Sequence, residues 1–110
     1  MKASRPRVVS SLRLADKFFD LVLSGVKTST IRRGIFYFTH NKIPLVSNNR
    51  KLNIRVVRLD HGKTFGELAE EDAKRDGFES LEELKGELHR FYPELEDGDP
   101  VTIVYFEVDK

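Results

Sequence analysis

Residues 24–34, SGVKTSTIRRG, place a glycine, a lysine, three consecutive hydroxyl-bearing residues and two arginines directly behind the apolar run ADKFFDLVLSG (residues 15–25). The apolar run reads as a helix. Phe18, Phe19, Leu21, Val22 and Leu23 exceed one narrow stripe, so the helix is expected to be buried over more than half its circumference. Gly25 ends it, since glycine takes the left-handed C-cap conformation without a Cβ clash. A surface turn needs that glycine but has no use for so many donors. A lysine near a helix C-terminus complements the dipole and threonines favour strands, so a purely structural role fits the composition. The alternative is a site: Lys27 supplies a compact cation, Thr28, Ser29 and Thr30 supply donors or a nucleophile, and the planar forks of Arg32 and Arg33 suit phosphate or a guanine edge. In a flat strand Lys27 and Thr30 point to opposite faces. They share one site if Lys27 belongs to the turn.

Working outward, RVVSSLRL (7–14) reads as a strand, and TSTIRRGIFYF (28–38) as a strand interrupted at Gly34. KLNIRVVRL (51–59) alternates Leu52, Ile54 and Val56 against Asn53, Arg55 and Val57. Between these, THNKIPLVSNNR carries Pro44 and the turn formers Ser47, Asn48 and Asn49, and reads as a loop or hairpin end. TFGELAEEDAKRDGF (64–78) has helical spacing stopped by Gly77. SLEELKGELHRFYP (80–93) opens on a capping box, Ser80 with Glu83, carries the stripe Leu81, Leu84, Leu88, Phe91, and ends at Tyr92 and Pro93. PVTIVYFEV (100–108) is hydrophobic enough to be central in a sheet. Strands with a helix pair inserted before the last one predict an α+β domain whose sheet closes toward a barrel.

The 110 residues contain no repeat and no linker-like tract, which predicts one domain spanning 1–110. Hydrophobic residues make up 39% and charge interrupts every apolar stretch, so no membrane span is expected; the basic start lacks the apolar core of a secretory signal. With no cysteine and three widely separated histidines (His40, His61, His89), neither a disulfide framework nor a metal site is expected, and no cofactor is implied; a cytoplasmic location follows by default. The net charge of +1 hides a segregation: residues 1–58 hold thirteen Lys/Arg against Asp16 and Asp20, whereas residues 59–110 hold six against sixteen acids. A basic half suits an anionic partner such as a nucleic acid, although charges can also interleave once the halves fold together. Phe36, Tyr37 and Phe38 lie beside Lys42 and Arg50; of these aromatics, period-two burial exposes Tyr37 alone as a stacking candidate.

FFDLVLSGVKTSTIRRG, TFGELAEEDAKRDGFESLEELKGELHRFYP and VTIVYFEV together resemble the ASCH domain of the PUA-like superfamily, over about Phe18 to Phe106. The resemblance implies a small PUA-like β-barrel with helices packed against it and a cleft faced by the G-x-K-T-x-T-x-R segment. It implies an RNA or single nucleoside or nucleotide as partner. One branch of the family is an amidohydrolase acting on N4-acetylcytidine through a Lys, a Thr and a Glu. Carried over by motif, these roles fall on Lys27, Thr30 and Asp76, with aspartate standing where that branch has glutamate, and Arg32 matches the arginine closing the motif.

Overall fold

The computed structural model describes residues 7–109. Seven strands occur among them: β1 (Arg7–Val9), β2 (Leu12–Arg13), β3 (Ser29–Arg33), β4 (Phe36–Phe38), β5 (Lys42–Val46), β6 (Lys51–Thr64) and β7 (Pro100–Val108). Three α-helices accompany them, α1 (Phe19–Leu23), α2 (Glu70–Arg75) and α3 (Leu81–Phe91), with 3-10 turns at Asp16–Phe18 and Phe65–Glu67. Five strands form one sheet in the order β2-β5-β6-β7-β3, and β1 pairs with β4 in parallel. Two residues separate β1 from β2, and two separate β3 from β4. The small pair therefore ties together the two outer strands of the large sheet and curls it into a half-barrel, the expected α+β barrel class.

Period-two alternation on β7 serves two cores. Val104 and Phe106 join Leu12, Leu45, Ile54, Phe19 and Val22 in one cluster. Val101 and Ile103 face the other way, with Ile31 of β3, against Leu84 and Leu88 of α3 and Ala73 of α2. A strand buried on both faces must be apolar at nearly every position, which is why PVTIVYFEV reads as it does. Each such side chain stabilises the fold by roughly 1.5–3 kcal/mol relative to exposure.

Several local expectations change. The single strand at 7–14 is two short ones, broken at Ser10 and Ser11. The segment 39–50 is not all loop: Ile43 and Leu45 are buried at alternate positions of β5, which pairs antiparallel with β6. Pro44 is tolerated because β2 reaches only Leu45 and Val46, so no strand lies against Pro44 on that side. Strand β6 runs five residues past the expected Leu59, with register shifts at Val56/Arg58 and Asp60/Lys63 that turn its far half toward the helices. The helix at 15–24 is a 3-10 turn plus the five residues of α1, and Leu23 is exposed. The pattern at 64–78 likewise divides: Leu68 and Ala69 are extended, and buried Asp72 accepts the Ala69 amide at 2.8 Å to start α2. In α3, Ser80 Oγ accepts the Glu83 amide at 3.1 Å as expected, but the Leu81 amide is held by Glu70 of α2 at 3.0 Å, and the reciprocal bond from Glu83 is absent among the described residues. None of the helices described is long and apolar enough to cross a membrane.

Candidate functional site

Gly25 (φ +81°) ends α1, and the chain turns back along it: the Lys27 amide donates to the Leu21 carbonyl at 2.9 Å and the Thr28 amide to the Arg75 carbonyl at 2.7 Å. Lys27 is thus clamped between the ends of α1 and α2, ahead of β3, so strand parity does not separate it from Thr30. Its side chain is only 3% exposed. Nζ contacts the Asp76 carboxylate and donates to the Asp76 carbonyl at 3.1 Å. Asp76 caps α2, and Gly77 reverses the chain with φ +90°. A Cβ at Gly77 would sit 3.3 Å from Lys27 Cβ and 3.3 Å from Leu21 Cδ1, in a backbone conformation side chains rarely adopt. Gly77→Ala is therefore expected to lower stability by about 1–3 kcal/mol, read as a lower urea midpoint at unchanged slope. A neutral substitution there would contradict the clamp.

Lys27, Asp76, Thr30 and Arg32 line one cavity of about 370 Å³, near the small end of the ~300–1,000 Å³ range of small-molecule sites. Phe18, Phe78, Leu84, Leu88 and Tyr92 supply apolar wall, and Arg13, Asn48, Asn49, Glu87 and Phe91 also contribute to the lining. The turn at 47–50 is fixed from below: Arg50 pairs with Asp16 at 2.9 Å and Asp20 at 2.8 Å, and Ser47 Oγ donates to Asp16 at 2.7 Å. Those two partners, Arg50 first, hold the Asp16 carboxyl below the usual carboxylate range.

Within the cavity the polar groups keep unused hydrogen-bonding capacity. Thr30 Oγ accepts from Arg32 Nε at 3.1 Å, leaving its own proton free to donate. The terminal nitrogens of half-buried Arg32 have no protein partner among the described residues. Burial, and secondarily the Arg32 guanidinium, lower the Lys27 pKa to about 7. Burial also lowers the Arg32 pKa, though a guanidinium stays charged at neutral pH. No group of three His, Asp or Glu side chains suited to a metal occurs among the described residues.

Four residues singled out in the sequence therefore meet in one place, and two do not. Arg33 is exposed on the face of β3 opposite Thr30 and Arg32, and does not line the cavity. Tyr37 is 44% exposed on β4, its ring 4.7 Å from that of His61, and is also outside it. The wall residues Phe18, Phe78 and Phe91, and the polar Asn48, Asn49 and Glu87, went unnoticed as site residues. Of these only Phe91 carried a sequence signal, as the last residue of the α3 stripe, and the structure leaves it 59% exposed.

Curled sheet, helix layer and cavity together make a small α+β half-barrel with a cleft on its helix side. Neither a protein-family model nor a curated protein matches the chain. Among solved structures it is similar to an ASCH domain from Lactobacillus crispatus JV V101, at TM-score 0.72 and 16% identity over 89% of this chain and 79% of the other. It is similar to protein EF3133 from Enterococcus faecalis V583, of family DUF984, at TM-score 0.71 and 18% identity over 99% and 79%. The hypothetical protein PH0355 gives TM-score 0.67 and 20% identity over 90% and 97%. The chain has the ASCH-domain fold, as its motifs led us to expect.

Proposed function

We propose that this protein binds a nucleoside-sized unit of RNA or a free nucleotide in the lateral cavity. The observation that carries this reading is the pairing of an aromatic wall with unspent hydrogen-bonding capacity on the floor. A planar base can pack against the wall that Phe18, Phe78 and Tyr92 supply, and the free nitrogens of Arg32 suit two adjacent acceptors on a base edge or a phosphate. Titration with the four nucleoside 5′-monophosphates by calorimetry tests it. Saturable binding to one of them is expected, weakened about 5- to 150-fold in Arg32→Ala, the effect of losing a bidentate contact. Absence of binding to all four, or an Arg32→Ala variant that binds as tightly as the parent, would count against this site.

A second reading, amide hydrolysis, is favoured by the contact between Lys27 and Asp76 beside Thr30. Neutral Lys27 would take the Thr30 proton, Oγ would add to the amide carbonyl, and the amine would leave with that proton, giving an acyl-threonine for water to hydrolyse. Arg32 Nε would support the developing charge on Oγ, and Asp76 would orient Lys27. The base is the deprotonated form, so kcat/KM should rise with pH through about 7. Incubation with N4-acetylcytidine and chromatography for cytidine tests this: release that vanishes in Thr30→Ala supports it, and no release ends it.

A further inference from the structure

Resting on the nucleotide-binding reading, we infer that the cavity takes one base of a single-stranded RNA while Phe91 stacks on the neighbouring base outside. Phe91 is the last residue of α3 and lines the cavity, yet it is 59% exposed although the preceding stripe residues Leu84 and Leu88 are buried. A ring at a cavity mouth with its face in water is what single-stranded nucleic acid uses as a stacking platform, since every base offers a π-face. The charges beside it match a backbone. Glu87, one turn earlier, lines the cavity and binds Lys17 Nζ at 3.2 Å and Arg90 at 3.0 Å. Lys17 and Arg90 remain 55% and 68% exposed, so each is within reach of solvent while Glu87 fixes both cations near the mouth. A strand that turns one base into the cavity carries phosphates beside that base, and two exposed cations held on one cavity-lining carboxylate suit them. A free nucleotide supplies nothing for Phe91 to stack on.

The two ligand classes separate by experiment. Trinucleotides of each of the four bases and the matching nucleoside 5′-monophosphates are titrated against the parent, Phe91→Ala and Phe91→Trp. The trinucleotide that matches the preferred base is expected to bind the parent more tightly than its monophosphate. In Phe91→Ala it should weaken about 5- to 100-fold, a clearly larger loss than the monophosphate shows, and Phe91→Trp should restore it. Because the ring is exposed, the thermal midpoint should stay within about 2–4 °C of the parent, which separates lost stacking from lost fold. Equal loss for both ligands, or loss for neither, overturns the stacking role while leaving the cavity reading intact. If the parent binds neither ligand, the cavity reading itself fails. Should Phe91→Ala instead convert a dimeric parent to monomer without touching RNA affinity, the ring is a contact between copies and the inference is wrong.

Discussion

Replacing Asp76 with alanine is expected to destabilise the protein by about 3–5 kcal/mol at pH 6, the cost of stranding one partner of a buried ion pair. Lys27 Nζ would keep the Asp76 backbone carbonyl at 3.1 Å as its hydrogen-bond acceptor and the Phe18 ring at 5.6 Å, with the Arg32 guanidinium close enough to disfavour its charge. The chain has one escape, which is to shed the proton. The folded pKa of Lys27 is already lowered to about 7, below the ~10.4 of an unfolded lysine. Between those values the unfolded state binds more protons, so stability rises with pH there, and the ammonium's penalty is fully present only below about 7. Asp76→Ala should therefore cost clearly less at pH 9 than at pH 6. Lys27→Met combined with Asp76→Leu, which removes both charges, should recover much of the loss. Urea unfolding of the three proteins at both pH values is the measurement. A cost under 1 kcal/mol at pH 6, or the same cost at both, would mean Asp76 is not the counter-charge.

Leu84→Ala should cost about 2–5 kcal/mol. Leu84 is 1% exposed and belongs to the second core, with Ile31, Val101 and Ile103 of the sheet. It also lines the cavity, so the space left behind joins an existing opening instead of remaining sealed. Leu84→Met keeps the volume and should cost under about 1.5 kcal/mol. Chemical denaturation distinguishes them, and near-equal values for the two variants would show that α3 is not anchored through this side chain.

How far the sequence discloses all this depends on whether a segment's packing is local. Helix α3 and strand β7 are legible because Ser80, the Leu84/Leu88 stripe and a doubly buried apolar run each encode their environment within a few residues. Strand β5 is hidden because only Ile43 and Leu45 mark its buried face, and Pro44 between them reads as a breaker until the short reach of β2 is known. Helix α1 is overcalled because its apolar residues serve a loop and a barrel core as well as a helix face. The meeting of Lys27 with Asp76 spans 49 residues, and no periodicity encodes it; motif resemblance alone pointed to Asp76. Arg33 and Arg32 differ by parity, which a strand reading of STIRR already contains.

The pairing of β3 with β7 sets the order in which the molecule can assemble. Residues 29–33 find their partners at 101–105, so a loop of about seventy residues must close before Thr30 and Arg32 are held in a sheet. Loop closure of that length adds entropy cost only slowly with size but raises contact order, which lengthens folding toward the millisecond-to-second range. The hairpin of β5 with β6 can form early, from neighbours in the chain. The cavity floor is consequently among the last parts to exist, and a ligand for it meets a binding surface only in molecules that have finished folding.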